Sequence, residues 1–118
     1  MRIMYFNVRG LAGPHRILAL KRVVSLEHPD ILLLQETLGV GDVIKDKLES
    51  WFPGCVFAML DARGRSGGLA IGWKEASIKA INLWGMDSVL GLQYQALDLQ
   101  STFTILNIYG PYLNRVTF

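Results

Sequence analysis

Residues 29–37, reading P-D-I-L-L-L-Q-E-T, constrain what this 118-residue chain can fold into more than any other stretch. Proline fixes its own φ and has no N–H to donate, so Pro29 and Asp30 end whatever precedes them. Ile31, Leu32, Leu33 and Leu34 then form an unbroken apolar run, the length of one strand buried on both faces. Gln35 and Glu36 follow at once. A carboxylate directly after such a strand is costly to place unless it reaches solvent, a partner or a metal. The carboxyl ends of buried strands are also where open α/β sheets put their ligands. Glu36 therefore reads either as the strand's exit into a wet loop or as a ligand-facing group, and the local sequence leaves both open.

Around this stretch the chain divides into two patterns. Residues 2–7 alternate weakly and are rich in Ile, Met, Tyr and Phe, which predicts a first strand ending at Asn7. Gly10 and Gly13 mark a loop, and Pro14 suits the first turn of a helix. Ile17, Leu18, Leu20, Val23, Val24 and Leu26 are expected on one face of that helix, which should stop before Pro29. Strand, helix and strand make a unit that is normally parallel and right-handed. A second, shorter helix is predicted over 42–51, ended by Pro53 and Gly54. Beyond it the pattern becomes strands and turns, with strands expected at 55–60, 68–73, 77–84, 90–99 and 103–109. Turns are expected at 64–67, 74–75, 85–87 and 100–101. A parallel unit followed by an antiparallel meander predicts an α/β fold with mixed sheets.

Bulk properties bound the function. At 118 residues the chain is one domain at most, and 51% hydrophobic with 19% charged residues argues for a packed core rather than disorder. A net charge of +2 neither identifies nor excludes a nucleic-acid binder, because a local basic patch suffices. Cys55 is the single cysteine, which rules out an internal disulfide and fits a reducing compartment. The opening M-R-I-M-Y-F-N-V-R-G has too short an apolar region for a signal peptide, and no run approaches a membrane span. The expected location is intracellular, in nucleus or cytoplasm.

Several site chemistries can be set aside. There is no C-x-x-C, and His15 and His28 sit on predicted helix flanks without a second ligand pattern. Gly39-Val40-Gly41 lies between a strand and a helix, but Ile44 stands where a dinucleotide fingerprint needs its third glycine, and Asp42 would repel a pyrophosphate. The glycines at 64, 67 and 68 lack the Lys-Ser/Thr ending of a P-loop. What remains is a polar set at strand ends: Asn7, Glu36 and Tyr109. A parallel first pair of strands would bring Asn7 and Glu36 out at the same sheet edge. One carboxylate beside one amide is a sparse oxygen site, which suits Mg²⁺ because that ion keeps several waters. Polar residues at strand ends are also common without any such role.

Four phrases in order carry a family resemblance: N-V-R-G after the first strand, L-L-L-Q-E-T after the second, R-S-G-G-L-A-I-G-W in the middle, and L-N-I-Y-G-P near the end. Together they resemble the endonuclease/exonuclease/phosphatase superfamily, which includes abasic-site endonucleases, pancreatic-type deoxyribonucleases and inositol polyphosphate phosphatases. The wording is most similar to the endonuclease domains of plant LINE-type (non-LTR) retrotransposons. The resemblance implies a four-layered α/β/β/α sandwich with mixed sheets, of which residues 1–118 would be the amino-terminal half. It also implies Mg²⁺-dependent phosphodiester hydrolysis, with Mn²⁺ as an alternative ion and DNA as the partner of the full-length relative. Carried across, Glu36 matches the metal-binding glutamate, Asn7 the asparagine supporting the metal and phosphate cluster, and Tyr109 the tyrosine contacting the scissile phosphate.

Two departures matter. Relatives usually have a lysine two residues after the glutamate, where this chain has Leu38. The family's later motifs, a G-D-F-N-like turn and a terminal S-D-H element, do not occur before Phe118. The resemblance thus implies a chain that holds the first half of a site and lacks its general-base half. Such a chain is expected to be catalytically silent and marginally stable. A phosphatase acting on small phosphorylated molecules and a non-catalytic remnant are the alternatives.

Overall fold

The computed structural model describes residues 1–11, 14–38, 41–63, 66–86 and 88–109. The elements run β1 (Ile3–Asn7), α1 (Pro14–Glu27), β2 (Ile31–Gln35), α2 (Gly41–Trp51), β3 (Cys55–Arg63), β4 (Ser66–Lys74), β5 (Ile78–Met86), β6 (Val89–Ala96) and β7 (Ser101–Ile108). β1 and β2 pair in parallel, with Ile3 beside Ile31 and Asn7 beside Gln35. β4 joins β2 antiparallel and β3 joins β4, giving a four-stranded mixed sheet of order β1-β2-β4-β3. β5, β6 and β7 form a separate antiparallel sheet. The expected α/β class with mixed pairing is what the chain adopts.

The apolar run of β2 explains the layering. All five of its residues are buried. Ile31 and Leu33 face the second sheet, packing with Leu69, Ile71 and Trp73 of β4 and with Leu90, Leu92, Tyr94 and Ala96 of β6. Leu32 and Leu34 face the other way, toward Leu20 of α1 and, beside Ala70 and Phe57, Ile44 and Leu48 of α2. One strand thus supplies both cores, and the described residues form three layers: helices, first sheet, second sheet. Gly72 is part of this packing, because the Phe57 ring lies where a Cβ on it would sit.

Three local expectations need correction. Leu18 and Leu26 of α1 are 61% and 71% exposed, whereas Leu20 is buried with Ile17 and Val24 packed beside it. The apolar positions cover more than one face, and only the i, i+3, i+7 stripe meets the sheet. Residues 97–100 form a turn rather than the end of a strand, closed by Leu99 and Gln100 N–H groups donating to the Ala96 carbonyl. Leu97 and Leu99 are therefore exposed on that turn, and the inward residues of β7 are Phe103, Ile105 and Asn107, set by their register with Tyr94, Leu92 and Leu90. β5 runs on through Gly85 and Met86, so of the turn expected at 85–87 only Asp87 remains, outside the described residues.

The sandwich is open on one side. Ile3 and Tyr5 of the edge strand β1 lie in register with Ile31 and Leu33 but are 44% and 58% exposed. Phe103 on the edge strand β7 is 40% exposed. The outer face of the second sheet is divided: Trp84, Met86, Leu106 and Ile108 make an exposed apolar half, and Asn82, Gln93, Thr104, Lys79, Gln95 and Thr102 make a polar half.

Asp30 ties the far end of the molecule together. Its carboxylate accepts from the Arg2 backbone N–H at 2.8 Å and from the Ser77 hydroxyl at 2.9 Å, while its carbonyl accepts from Lys74 N–H at 3.0 Å. Burial pushes its pKa up, but the Arg2 N–H, the Ser77 hydroxyl, the amino terminus and Lys74 outweigh this and hold it below the usual value. A lowered folded-state pKa stabilises the fold above the unfolded value, and that stability is lost as pH falls through the folded value. Asp30→Asn is expected to cost about 1–2 kcal/mol at pH 7. The difference from wild type should shrink in urea melts taken below about pH 4.

Candidate active site

β1 and β2 end together, and the site is built on that shared edge. Because Asn7 pairs with Gln35 in a parallel register, the next residue of the second strand, Glu36, leaves the sheet beside Asn7. Glu36 has φ +56°, and the Asn7 side-chain amide donates to its carboxylate. The structure thus brings together the amide and the carboxylate that strand ends alone suggested. Asn7 Oδ1 in turn accepts from the Arg9 backbone N–H at 3.0 Å.

The two loops at this edge are tied to each other. Gly10 N–H donates to the Glu36 carbonyl at 2.7 Å, and Leu11 N–H reaches the Thr37 carbonyl at 3.4 Å. On the other side Thr37 and Leu38 N–H groups donate to Gly68 and Gly67 carbonyls at 3.1 and 3.3 Å. Arg9, Gly10, Glu36, Leu38, Gly67 and Gly68 all have positive φ. Left-handed backbone is strained for residues with a Cβ, and such strain concentrates at functional sites. Thr37 is fully buried in this clamp, against Gly68.

Tyr109 arrives from the other sheet. It follows β7, is half-buried against the inter-sheet core, and its N–H donates to the Ser88 carbonyl at 2.9 Å. A buried amide pair fixes β7 against β2. Asn107 is 1% exposed, and its amide donates to the Leu34 and Ala70 carbonyls, both at 3.0 Å. The Gln35 amide donates to Asn107 Oδ1 at 3.2 Å and to the Ile108 carbonyl, while its Oε1 accepts from the Tyr5 hydroxyl. Gln35 precedes Glu36 and Ile108 precedes Tyr109, so this clamp ties the residue before Glu36 to the residue before Tyr109. Sequence reasoning passed over Gln35 and Asn107. The available signal was a polar residue at an inward position of each strand, since a buried amide persists only when its hydrogen bonds are made.

His15 and His28 are exposed, consistent with their reading as surface groups. Among the described residues no cluster of three or more His, Cys, Asp or Glu is placed to hold a metal. No helix among them is long and apolar enough to cross a membrane. Of the arginines that the sequence suggests as loop phosphate contacts, Arg9, Arg63 and Arg65, the last lies outside the described residues.

Solved structures share this arrangement at low sequence identity. The human Nocturnin catalytic domain with bound sulfate matches with a TM-score of 0.71 and 16% identity, over 90% of this chain and 48% of its own. The AP endonuclease LMAP from Leishmania major matches at 0.67 and 21%, over 98% of this chain and 43% of its own. The mannosyl-6-phosphatase of Bacteroides thetaiotaomicron matches at 0.68 and 14%, over 90% and 50%. The chain therefore spans about half the length of these relatives, and the likeness is one of fold. No curated protein matches the sequence significantly. A family model does match, across residues 4–109 and hence both sheets, Asn7, Glu36 and Tyr109, and by that match the chain belongs to the Endonuclease/Exonuclease/phosphatase family.

Proposed function

We propose that residues 1–118 carry the amino-terminal half of a Mg²⁺-dependent phosphodiesterase site acting on DNA, of the kind found in retroelement endonucleases. The observation that supports it most is the Asn7–Glu36 pair held at the shared end of two parallel strands. The donor set suits Mg²⁺ rather than a metal needing a full protein cage. Glu36 offers the carboxylate oxygen that Asn7 does not bind, and Asn7 offers the second lone pair of Oδ1. Mg²⁺ takes one or two such oxygens and fills its shell with water and substrate phosphate; Mn²⁺ would accept the same donors.

Within such a site each residue has a distinct task. Glu36 holds the ion and Asn7 orients Glu36. Tyr109 donates a hydrogen bond to a phosphate oxygen as charge develops there. The bound ion would polarise the phosphoryl oxygen and stabilise the leaving alkoxide. No described residue beside Glu36 is placed as the base that activates water. Residues 1–118 span about half the length of the solved structures of this fold, and we expect them to hydrolyse nothing alone.

The choice of DNA rests on the retroelement-like phrasing and on Arg9, Arg63 and Arg65, which the sequence suggests lie in loops; Arg9 does follow β1, whereas Arg63 is the last residue of β3 and so is not a loop arginine. Similar folds occur in a D. rerio TDP2 complexed with single-strand DNA product and in a mannosyl-6-phosphatase, so both substrate branches stay in view. The test uses the polypeptide that includes the second half, assayed on supercoiled plasmid and on soluble inositol polyphosphates. Mg²⁺-dependent nicking that weakens steeply with salt is expected. Turnover of inositol polyphosphates without nicking would replace DNA by a small phosphorylated substrate.

A further inference from the structure

Asn7, Glu36 and Tyr109 stand at the ends of three strands, and one side chain reaches all three strands just before those ends. Gln35 Oε1 accepts from the Tyr5 hydroxyl of β1, two residues before Asn7. Its Nε2 donates to Asn107 Oδ1 at 3.2 Å and to the carbonyl of Ile108, which ends β7 one residue before Tyr109. Gln35 itself directly precedes Glu36, and at 6% exposed it makes these bonds away from water.

Each amide of this network has one orientation. Turning Gln35 over would set its Oε1 against Asn107 Oδ1 and the Ile108 carbonyl, acceptor against acceptor. Turning Asn107 over would set its Oδ1 against the Leu34 and Ala70 carbonyls. Both N–H groups of each side chain are used, and a satisfied buried network of this kind rigidifies what it joins. β1 and β2 have less need of it, because their parallel ladder already pairs Asn7 with Gln35. β7 belongs to the other sheet, which meets the first through apolar packing. Such packing has no preferred direction, so directional bonds across the gap are what oppose sliding. Placement matters here, since a shift of about 1 Å between groups acting on one substrate costs about a hundredfold in rate.

We propose that Gln35 is a positioning residue of the site: its amide holds Tyr109 on β7 in fixed relation to the Asn7–Glu36 pair, and Asn107 locks that amide in place. The inference rests on the reading of Asn7, Glu36 and Tyr109 as one metal-dependent site. It gives Gln35 no contact with metal or substrate.

The test is Mn²⁺ line broadening in amide NMR spectra of the 118-residue chain, because a paramagnetic ion held at Glu36 broadens each amide more the nearer it lies. Gln35→Met keeps the length and removes both donors, but strands Asn107 Oδ1. Adding Asn107→Leu removes the stranded partner and offsets the lost stability. The two variants cover a folding failure in either, and a thermal melt checks each. In wild type, Asn7, Glu36 and Tyr109 are expected to broaden together. In the folded variants Asn7 and Glu36 should still broaden, while the broadening of Tyr109 relative to Glu36 falls, in the double variant as in the single. An unchanged ratio would leave Gln35 a role in stability alone and overturn the assignment, with the site reading intact. A Tyr109 amide untouched by Mn²⁺ in wild type, where Glu36 broadens, would overturn it too. If Mn²⁺ broadens neither Asn7 nor Glu36, the site reading falls and metal-free spectra decide Gln35 separately. Displaced Glu36 and Tyr109 signals in Gln35→Met then support the joint, and a Tyr109 signal at its wild-type position refutes it.

Discussion

Glu36→Gln is expected to lower DNA nicking about a thousandfold in the polypeptide that completes the domain, with little change in its melting temperature. The substitution keeps the size and one acceptor oxygen, so the Asn7 amide still finds an oxygen to donate to. What it removes is the negative charge proposed to hold a metal, and metal charge stabilisation is worth several kcal/mol at the transition state. At about 1.4 kcal/mol per tenfold in rate, roughly 4 kcal/mol gives the stated loss. Plasmid nicking and a thermal melt on the same preparation separate the two effects. Near-normal nicking at ordinary Mg²⁺ would remove Glu36 from the chemistry.

Gly68→Ala is expected to cost about 3 kcal/mol of stability, without touching any group assigned to chemistry. Gly68 has φ +90°, where an L side chain costs about 1 kcal/mol or more. Its added Cβ would overlap Thr37 Oγ1 and come within 3.0 Å of Leu38 N. Thr37 is fully buried and its backbone is hydrogen-bonded on both sides, so its side chain has little space to move into, and overpacking of this sort costs about 1–3 kcal/mol. Gly54→Ala is the control. Gly54 has φ +85° with nothing within 4 Å of a new Cβ, so it should show the conformational cost alone. By the usual scaling the Gly68 variant should melt about 10–20 °C lower than wild type and well below the Gly54 variant. Equal melting temperatures would mean that the Glu36–Leu38 segment yields more freely than its hydrogen bonds indicate.

How much of this was legible in the sequence depends on the kind of residue. The apolar run at 31–34 is readable because a strand buried on both faces cannot alternate, and it placed the parallel pair and the shared edge of Asn7 and Glu36. The strand expected at 90–99 stops at Ala96, because the Gln100 N–H folds back to the Ala96 carbonyl and turns Leu97 and Leu99 out of it. Leu18 and Leu26 mislead because helix periodicity reports which residues could be covered. Whether they are depends on what packs there, and among the described residues nothing does. The Gln35–Asn107 clamp joins residues 72 positions apart, in different sheets, and no local pattern reports such a pairing.

The central claim is that Glu36 and Asn7 form a divalent-metal edge, and Mg²⁺ titration of the 118-residue chain followed by backbone-amide NMR tests it most directly. Saturable shifts are expected at Asn7, Arg9, Gly10, Glu36 and Thr37, each one hydrogen bond or one residue from Glu36 or from its partner Asn7, and these shifts should vanish in Glu36→Gln. Shifts confined to other acidic residues, or an identical pattern in Glu36→Gln, would contradict it.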